Sequence, residues 1–186
     1  SPFPSGTDLG EELLALLGSP NIADPSWVYL QYDHQLFLNT VVGPGSDASL
    51  LRLQEAAPRA LALSVDGKAR YLALDPRVGA RLIVLEAARN VACAGATPKA
   101  LVNCLNFGNP EHPEVMWQFS ETVDGMSEAC TAAEMPVIGG NVSSDNESRG
   151  ADLDPTPGVG VSVLSDDRGD ATPCALSGGG AGQAHL

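Results

Sequence analysis

With 186 residues, 44% of them hydrophobic and 18% charged, the chain has an ordinary globular composition and length enough for one respectable core plus loose ends. A formal charge of −13 leaves no basic stripe to release counterions from a nucleic-acid backbone. Nucleic acid is thereby excluded as a partner, whereas single nucleotides, which one metal and a few N–H groups can hold, are not.

The first expected element is a helix from about Asp8 to Leu17, capped by Thr7 or Asp8 and stopped at Gly18. Glu11 and Glu12 sit at its positive end, and Leu9, Leu13, Leu16 and Leu17 form one apolar face. A turn-rich connector follows over Ser19–Pro25. Trp27–Gln35 is open to either a short helix or extended chain. Leu36–Val42 reads as a strand ending at Gly43-Pro44-Gly45, and Asp47–Gln54 as a loop with one helical turn. Next comes an expected hairpin, in which Ala60–Val65 alternates, Asp66-Gly67 turns, and Ala69–Leu74 returns. Val78–Ala94 is helical, with Leu82, Leu85, Ala88 and Ala92 on one side and Arg81, Glu86, Arg89 and Asn90 on the other.

The central unit runs from Lys99 to Asn146. It is read as a strand (Lys99–Leu105), a loop (Asn106-Phe107-Gly108-Asn109-Pro110), a helix (about Glu114–Ala133) and a second strand (Pro136-Val137-Ile138). That second strand opens into Gly139-Gly140-Asn141-Val142-Ser143-Ser144-Asp145-Asn146. The helix carries the chain back past the sheet, so the two strands lie parallel with both loops at one edge. Carboxamides, hydroxyls and free N–H groups there suit a phosphate and its metal. Glycine and asparagine also supply tight turns without any ligand, and spacing alone does not separate the two readings. The stripe Val115, Phe119, Val123, Met126, Cys130 and Ala133 is assigned to the core. The acids Asp145, Glu147, Asp152 and Asp154 are assigned to a solvated loop.

Thr156–Leu164 is the last strand, with Gly158 and Gly160 marking a close approach by another backbone or a ligand. Beyond Ser165 the Asp- and Gly-rich text reads as a flexible tail. The expected organisation is an N-terminal helix and linker (1–35), an α/β domain (36–164) and a tail or truncated start of a further domain (165–186). The fold class is α/β (α+β), a mixed sheet of four or more strands with helices on one face. The other face is left for a twin copy or another domain. Cys93, Cys104, Cys130 and Cys174 lack metal or redox spacing and are read as buried thiols in a reducing compartment. No apolar stretch approaches the ~20 residues that span a bilayer, and Ser1-Pro2-Phe3-Pro4 lacks the features of a signal peptide. A cytoplasmic protein without a membrane partner is expected.

The text LVNCLNFGNPEHPEVMWQFSETVDGMSEAC, followed by PVIGGNVSSDNES, resembles the phosphoribosylformylglycinamidine synthase family of purine biosynthesis, also called formylglycinamide ribonucleotide amidotransferase. The likeness extends from LALLGSPNIADPSWVYLQYDHQ through RYLALDP and EAARNVACAGATPKA to PTPGVGV, roughly Leu9 to Leu164. It implies a position in the second half of the synthetase subunit. The implied fold is the nucleotide domain shared with aminoimidazole ribonucleotide synthetase, its sheet face available for pseudo-dimer pairing. The implied activity is that of a ligase, in which ATP activates a carbonyl oxygen of formylglycinamide ribonucleotide as a phosphate ester and ammonia replaces it.

Carried over by position, Asn103 and Gly140 fall at contacts to ATP or ADP, Asn141 at a Mg2+ ligand, and Ser143 at a substrate contact. The implied partners are the first half of the synthetase or a homodimer mate, and a glutamine amidotransferase subunit. Many relatives have a carboxylate at the position of Asn103, and where they resemble NVSLYNE this chain has Asp145 in place of the aromatic. The family's catalytic histidine lies in the other half, and His34, in QYDHQ, is not at its position. No catalytic residue is therefore assigned. The fragment is expected to contribute contacts without turning over, or to be a catalytically inactive nucleotide-binding or pairing module.

Overall fold

The computed structural model describes residues 8–56 and 59–165. They divide into two compact units, the first ending at His34 and the second beginning at Gln35. The first unit holds α1 (Leu9–Leu17) and α2 (Ser26–Tyr29). Asp8 caps α1 by accepting from the Gly10 N–H at 2.8 Å, and Gly18 closes it. No side chain of α1 is buried within the chain, so its leucine stripe remains open.

In the second unit a six-stranded sheet is ordered β1-β2-β3-β8-β4-β5. The strands are β1 (Thr40–Val42), β2 (Ser49–Arg52), β3 (Ala60–Asp66), β4 (Ala100–Asn106), β5 (Val137–Ser143) and β8 (Gly158–Ser165). All neighbours are antiparallel except β4 and β5, which run parallel because α5 (Pro113–Ala132) crosses between them. A separate hairpin, β6 (Glu147–Ser148) and β7 (Ala151–Asp152), leaves the end of β5.

Three expectations about local structure are overturned. Ala69–Leu74 is a helix, α3, rather than a returning strand. Both edges of β3 are already taken by β2 and β8, so a hairpin partner has no place to pair. Leu36–Leu38 is a 3-10 turn and only Thr40–Val42 is extended; Phe37 and Leu38 have φ of 60° and 56°. Ser49–Arg52, expected in a loop, is strand because β3 offers it an edge.

The long helix α4 (Pro76–Cys93) starts where Asp75 accepts from the Val78 N–H at 2.9 Å and Pro76 occupies the first turn. Its buried face is Ala80, Ile83, Val84, Ala87 and Val91, one residue round from the expected one, and Leu82 is exposed. Ile83 and Val84 join Leu50, Ala60, Ala62, Leu101, Val159 and Val161 in the core. Ser64 Oγ ties β3 to α4 by donating to the Ala87 carbonyl at 2.8 Å. In α5, Val115, Met126 and Cys130 are buried as expected, whereas Val123 is exposed. Arg77 of α4 pairs with Glu121, Asp124 and Glu128 of α5, and Arg81 with Glu128, so the two helices are clipped together at their outer surface.

Within this unit, no helix among the described residues covers the opposite face of the sheet. Along it Val65, Val102, Cys104 and Leu164 are exposed, with Val65 at 84%. The exposed thiols of Cys93 and Cys104 correct the expectation of burial, which holds for Cys130; Cys174 lies outside the described residues. Cys104 is exposed because its position in β4 points to the uncovered face. No helix among the described residues is long and apolar enough to cross a membrane.

Candidate nucleotide site at the ends of two parallel strands

The second strand does not stop at Ile138. It continues through Gly139-Gly140-Asn141-Val142-Ser143, so Gly140 and Asn141 lie inside β5 and not in a loop. β4 presents an edge as long as this run, and pairing with it satisfies backbone groups that a loop would leave to solvent. The register pairs Asn103 with Gly140, Cys104 with Asn141, and Asn106 with Ser143.

Because paired residues share a face and successive residues along a strand do not, the four candidates separate into two pairs. Asn103 and Gly140 face the helices. Asn141 and Ser143 face the uncovered side with Cys104 and Asn106. On the helix side, the Asn103 carboxamide lies directly over Gly140, where an added Cβ would stand 2.1 Å from Asn103 Oδ1. Asn103 Nδ2 donates to Met126 Sδ of α5 at 3.5 Å. The space between the two residues is therefore filled by the carboxamide itself, not by an apolar plug. Gly140 is required by that contact as much as by any ligand.

On the uncovered side, Asn141 is exposed and Ser143 half-buried. Asn106 Nδ2 is held by the carbonyls of Cys104 and Thr156 at 3.2 and 3.1 Å, leaving its oxygen outward. Asn146 Nδ2 donates to the Ser143 carbonyl at 2.9 Å and to Ser143 Oγ at 3.3 Å. These are neutral oxygens. Among the described residues no group of three His, Cys, Asp or Glu side chains could hold a metal ion. Such a set of neutral oxygens could hold a hard cation only together with phosphate oxygens and water, and it does not make a closed all-protein cage.

The loops beyond the two strands are joined to each other. Phe107 N–H donates to the Ser143 carbonyl at 2.9 Å, Asp145 N–H to the Gly108 carbonyl at 2.9 Å, and Asn146 Nδ2 to the Phe107 carbonyl at 2.8 Å. Asp152 belongs to this assembly and not to a solvated loop, which corrects its assignment. It accepts from the Asn109 N–H at 2.6 Å and from His112 Nδ1 at 2.7 Å. Gly108 lies beneath it; a Cβ there would stand 2.3 Å from Asp152 Oδ1. The Asn109 N–H and the imidazole hold the Asp152 carboxyl below the usual range, while that carboxylate, with Glu147 and Glu114, raises the imidazole. His112, Asn146 and Asp152 were not singled out from sequence. Their partners lie 40 positions away in the case of His112 and Asp152, beyond any local pattern. His34 faces the Tyr32 carbonyl at 3.3 Å, in the other unit.

A one-sided mixed sheet with its polar residues at the ends of two parallel strands defines the class. Residues 45–163 match the AIR synthase related protein, N-terminal domain, and the chain belongs to that family. The likeness read from NCLNFGNP and GGNVS holds as well. The chain is 52% identical over 167 residues to the phosphoribosylformylglycinamidine synthase subunit PurL of Moorella thermoacetica, covering 90% of this chain and 23% of that protein. Among solved structures, T. maritima PurL complexed with ATP superposes with a TM-score of 0.67 at 30% identity, over 76% of this chain and 23% of that one. The same protein complexed with FGAR gives 0.66 at 31% identity over the same shares. PurLQS from Thermotoga maritima gives 0.70 at 31% identity, over 75% of this chain and 23% of that one. The chain thus spans about a quarter of the length of the relatives it matches.

Proposed function

We propose that this chain supplies nucleotide, magnesium and substrate contacts to a phosphoribosylformylglycinamidine synthase. That enzyme is the cytoplasmic, ATP-dependent ligase that converts formylglycinamide ribonucleotide, with ammonia drawn from glutamine, to the amidine. The observation that carries the reading is the unbroken parallel register from Asn103–Gly140 to Asn106–Ser143, which sets all four candidate positions at neighbouring places on two strands. The identity to PurL, and the ATP and FGAR complexes of the T. maritima relative, support the choice of ligands.

In this reading each residue does what its chemistry allows. Gly140, whose missing side chain makes room for the Asn103 carboxamide, lets that carboxamide lie against the outermost strand, where it and the strand backbone meet the nucleotide. Asn103 orients that strand segment through its carboxamide and offers the nucleotide a neutral hydrogen-bonding group. Asn141 gives one carboxamide oxygen to magnesium, which when bound would neutralise phosphate oxygens. Ser143, steadied by Asn146, donates its hydroxyl to the substrate. The uncovered sheet face, with Val65, Val102 and Leu164 exposed, takes the first half of the synthetase or a second copy, and a glutamine amidotransferase subunit delivers the ammonia.

No general base is assigned in the chain, because the resemblance puts the family's catalytic histidine in the other half of the synthetase. The chain alone is therefore expected to be inactive. A second reading, a nucleotide-binding or pairing module without turnover, is favoured by one observation. Where many relatives carry a carboxylate, Asn103 brings none, and its amide is already turned to Gly140 and Met126. Complementation decides between them. Mixed with the first half of the synthetase, ATP, magnesium and ammonia, the chain should restore consumption of formylglycinamide ribonucleotide. A folded pair that consumes none, or turnover by the chain alone, would contradict the first reading.

A further inference from the structure

The contact between Asp152 and the loop after β4 joins segments that the sequence keeps far apart. One carboxylate bonds both the Asn109 N–H, at 2.6 Å, and His112 Nδ1, at 2.7 Å, and rests on the bare Cα of Gly108. Asp152 stands in β7, one arm of the short hairpin whose other end is Asn146. Leu153 N–H donates back to the Asn146 carbonyl at 3.0 Å, and Asn146 in turn holds Ser143. The side chain of His112 is half exposed and that of Asp152 a quarter exposed, so protons reach the pair from solvent. The charges that raise the imidazole are acidic: Asp152 on β7, Glu147 on β6 and Glu114 in the first turn of α5.

We infer that His112 and Asp152 form a protonation-sensitive latch, which holds the β6–β7 hairpin on the Gly108–Asn109 loop when the imidazole is charged and loosens when it is neutral. Protonation places a positive charge on the ring, and the bond to the carboxylate becomes charge-assisted at both ends. Loss of that proton leaves a neutral N–H donor, and the Asn109 N–H remains as the stronger tie. The latch makes His112 and Asp152 positioning residues for Ser143, through Asn146, and this last step rests on the function proposed above.

The sign follows from the two shifts. A histidine raised on folding contributes fully below its unfolded value of ~6.5 and loses that contribution as pH rises through its higher folded value. A lowered aspartate contributes above the carboxylate range and fails only as pH falls through its folded value. The latch is therefore closed between those limits and opens on the alkaline side.

The test follows the His112 ring by NMR from about pH 5 to about pH 8, together with the amide protection of Asn109 relative to its intrinsic exchange rate at each pH. The parent chain, Asp152→Asn and His112→Gln are compared. In the parent, the ring should titrate above ~6.5 and Asn109 protection should fall several-fold across that transition. Asp152→Asn should bring the ring back towards its ordinary value and leave Asn109 poorly protected throughout. His112→Gln, a surface change that should leave the fold intact, should abolish the pH step. Constant Asn109 protection in the parent, or a step that persists in His112→Gln, would overturn the latch. Magnesium-ADP affinity measured on the same samples separates the two claims. A latch that titrates as described in a chain that binds no nucleotide at any pH, even when paired with the first half of the synthetase, upholds the latch and contradicts the proposed site.

Discussion

The Asn103 carboxamide and the missing side chain of Gly140 are one contact seen from two strands. With an added Cβ only 2.1 Å from Asn103 Oδ1, Gly140→Ala must displace the carboxamide or the strand. Overpacking of this kind costs about 1–3 kcal/mol, which urea denaturation would read as a lower midpoint at unchanged slope. Asn103→Ala made in the same chain should recover only part of the loss, because it removes the carboxamide but leaves the Asn103 carbonyl oxygen 2.5 Å from the added Cβ. A fully additive double mutant would show that the two residues do not share the contact. Asn141 behaves differently: it is exposed and touches nothing that holds the fold, so Asn141→Ala should leave the denaturation midpoint within the ~0.5 kcal/mol typical of surface changes. The roles of Asn103 and Asn141 diverge although both are asparagines on neighbouring parallel strands. Sequence placed them together; strand alternation puts them on opposite faces.

At the level of elements, α4 offers the sharpest check. Ile83 is fully buried and Leu82 is 43% exposed. Ile83→Ala should cost about 2–5 kcal/mol and Leu82→Ala less than about 0.5 kcal/mol, measured by thermal or urea unfolding. The reverse order would restore the helix face first read from the sequence. That reading failed because α4 is apolar over most of its surface, with alanines on both sides, so its periodicity does not single out one face. The start of the same helix was legible only in part. The sequence places its start at Val78, yet Asp75 caps the helix and Pro76 fills its first turn. α5 and β4 were read nearly to the residue, since Pro113 and a regular apolar stripe announce the helix and LVNCL the strand. β2, α3 and the continuation of β5 were not legible, because what decides them is which sheet edges are open. That is a property of the assembled sheet and not of any window of sequence.

For the whole molecule, the unequal treatment of the two sheet faces governs the rest. One face is covered by α4 and α5, with Val142 of the edge strand β5 still exposed on it; the other exposes Val65, Val102 and Leu164 beside Asn141 and Ser143. The proposed partner surface would dock on this apolar face. Val102→Lys would put a charge in the middle of that face. It should leave the isolated chain as stable as its parent while lowering affinity for the first half of the synthetase at least about tenfold, as read by analytical ultracentrifugation. The one-sidedness was visible in the sequence as too few helices for the strands, but the number of strands, six, was not.

The most direct measurement is calorimetric titration of magnesium-ADP onto the chain paired with the first half of the synthetase, for the parent and for Asn141→Ala. Loss of a metal ligand should weaken binding by about tenfold, equivalent to roughly 1.4 kcal/mol, with the pair still assembled. Equal affinity in the two proteins would remove magnesium from Asn141 and, with it, the reading of β4 and β5 as the floor of a nucleotide site.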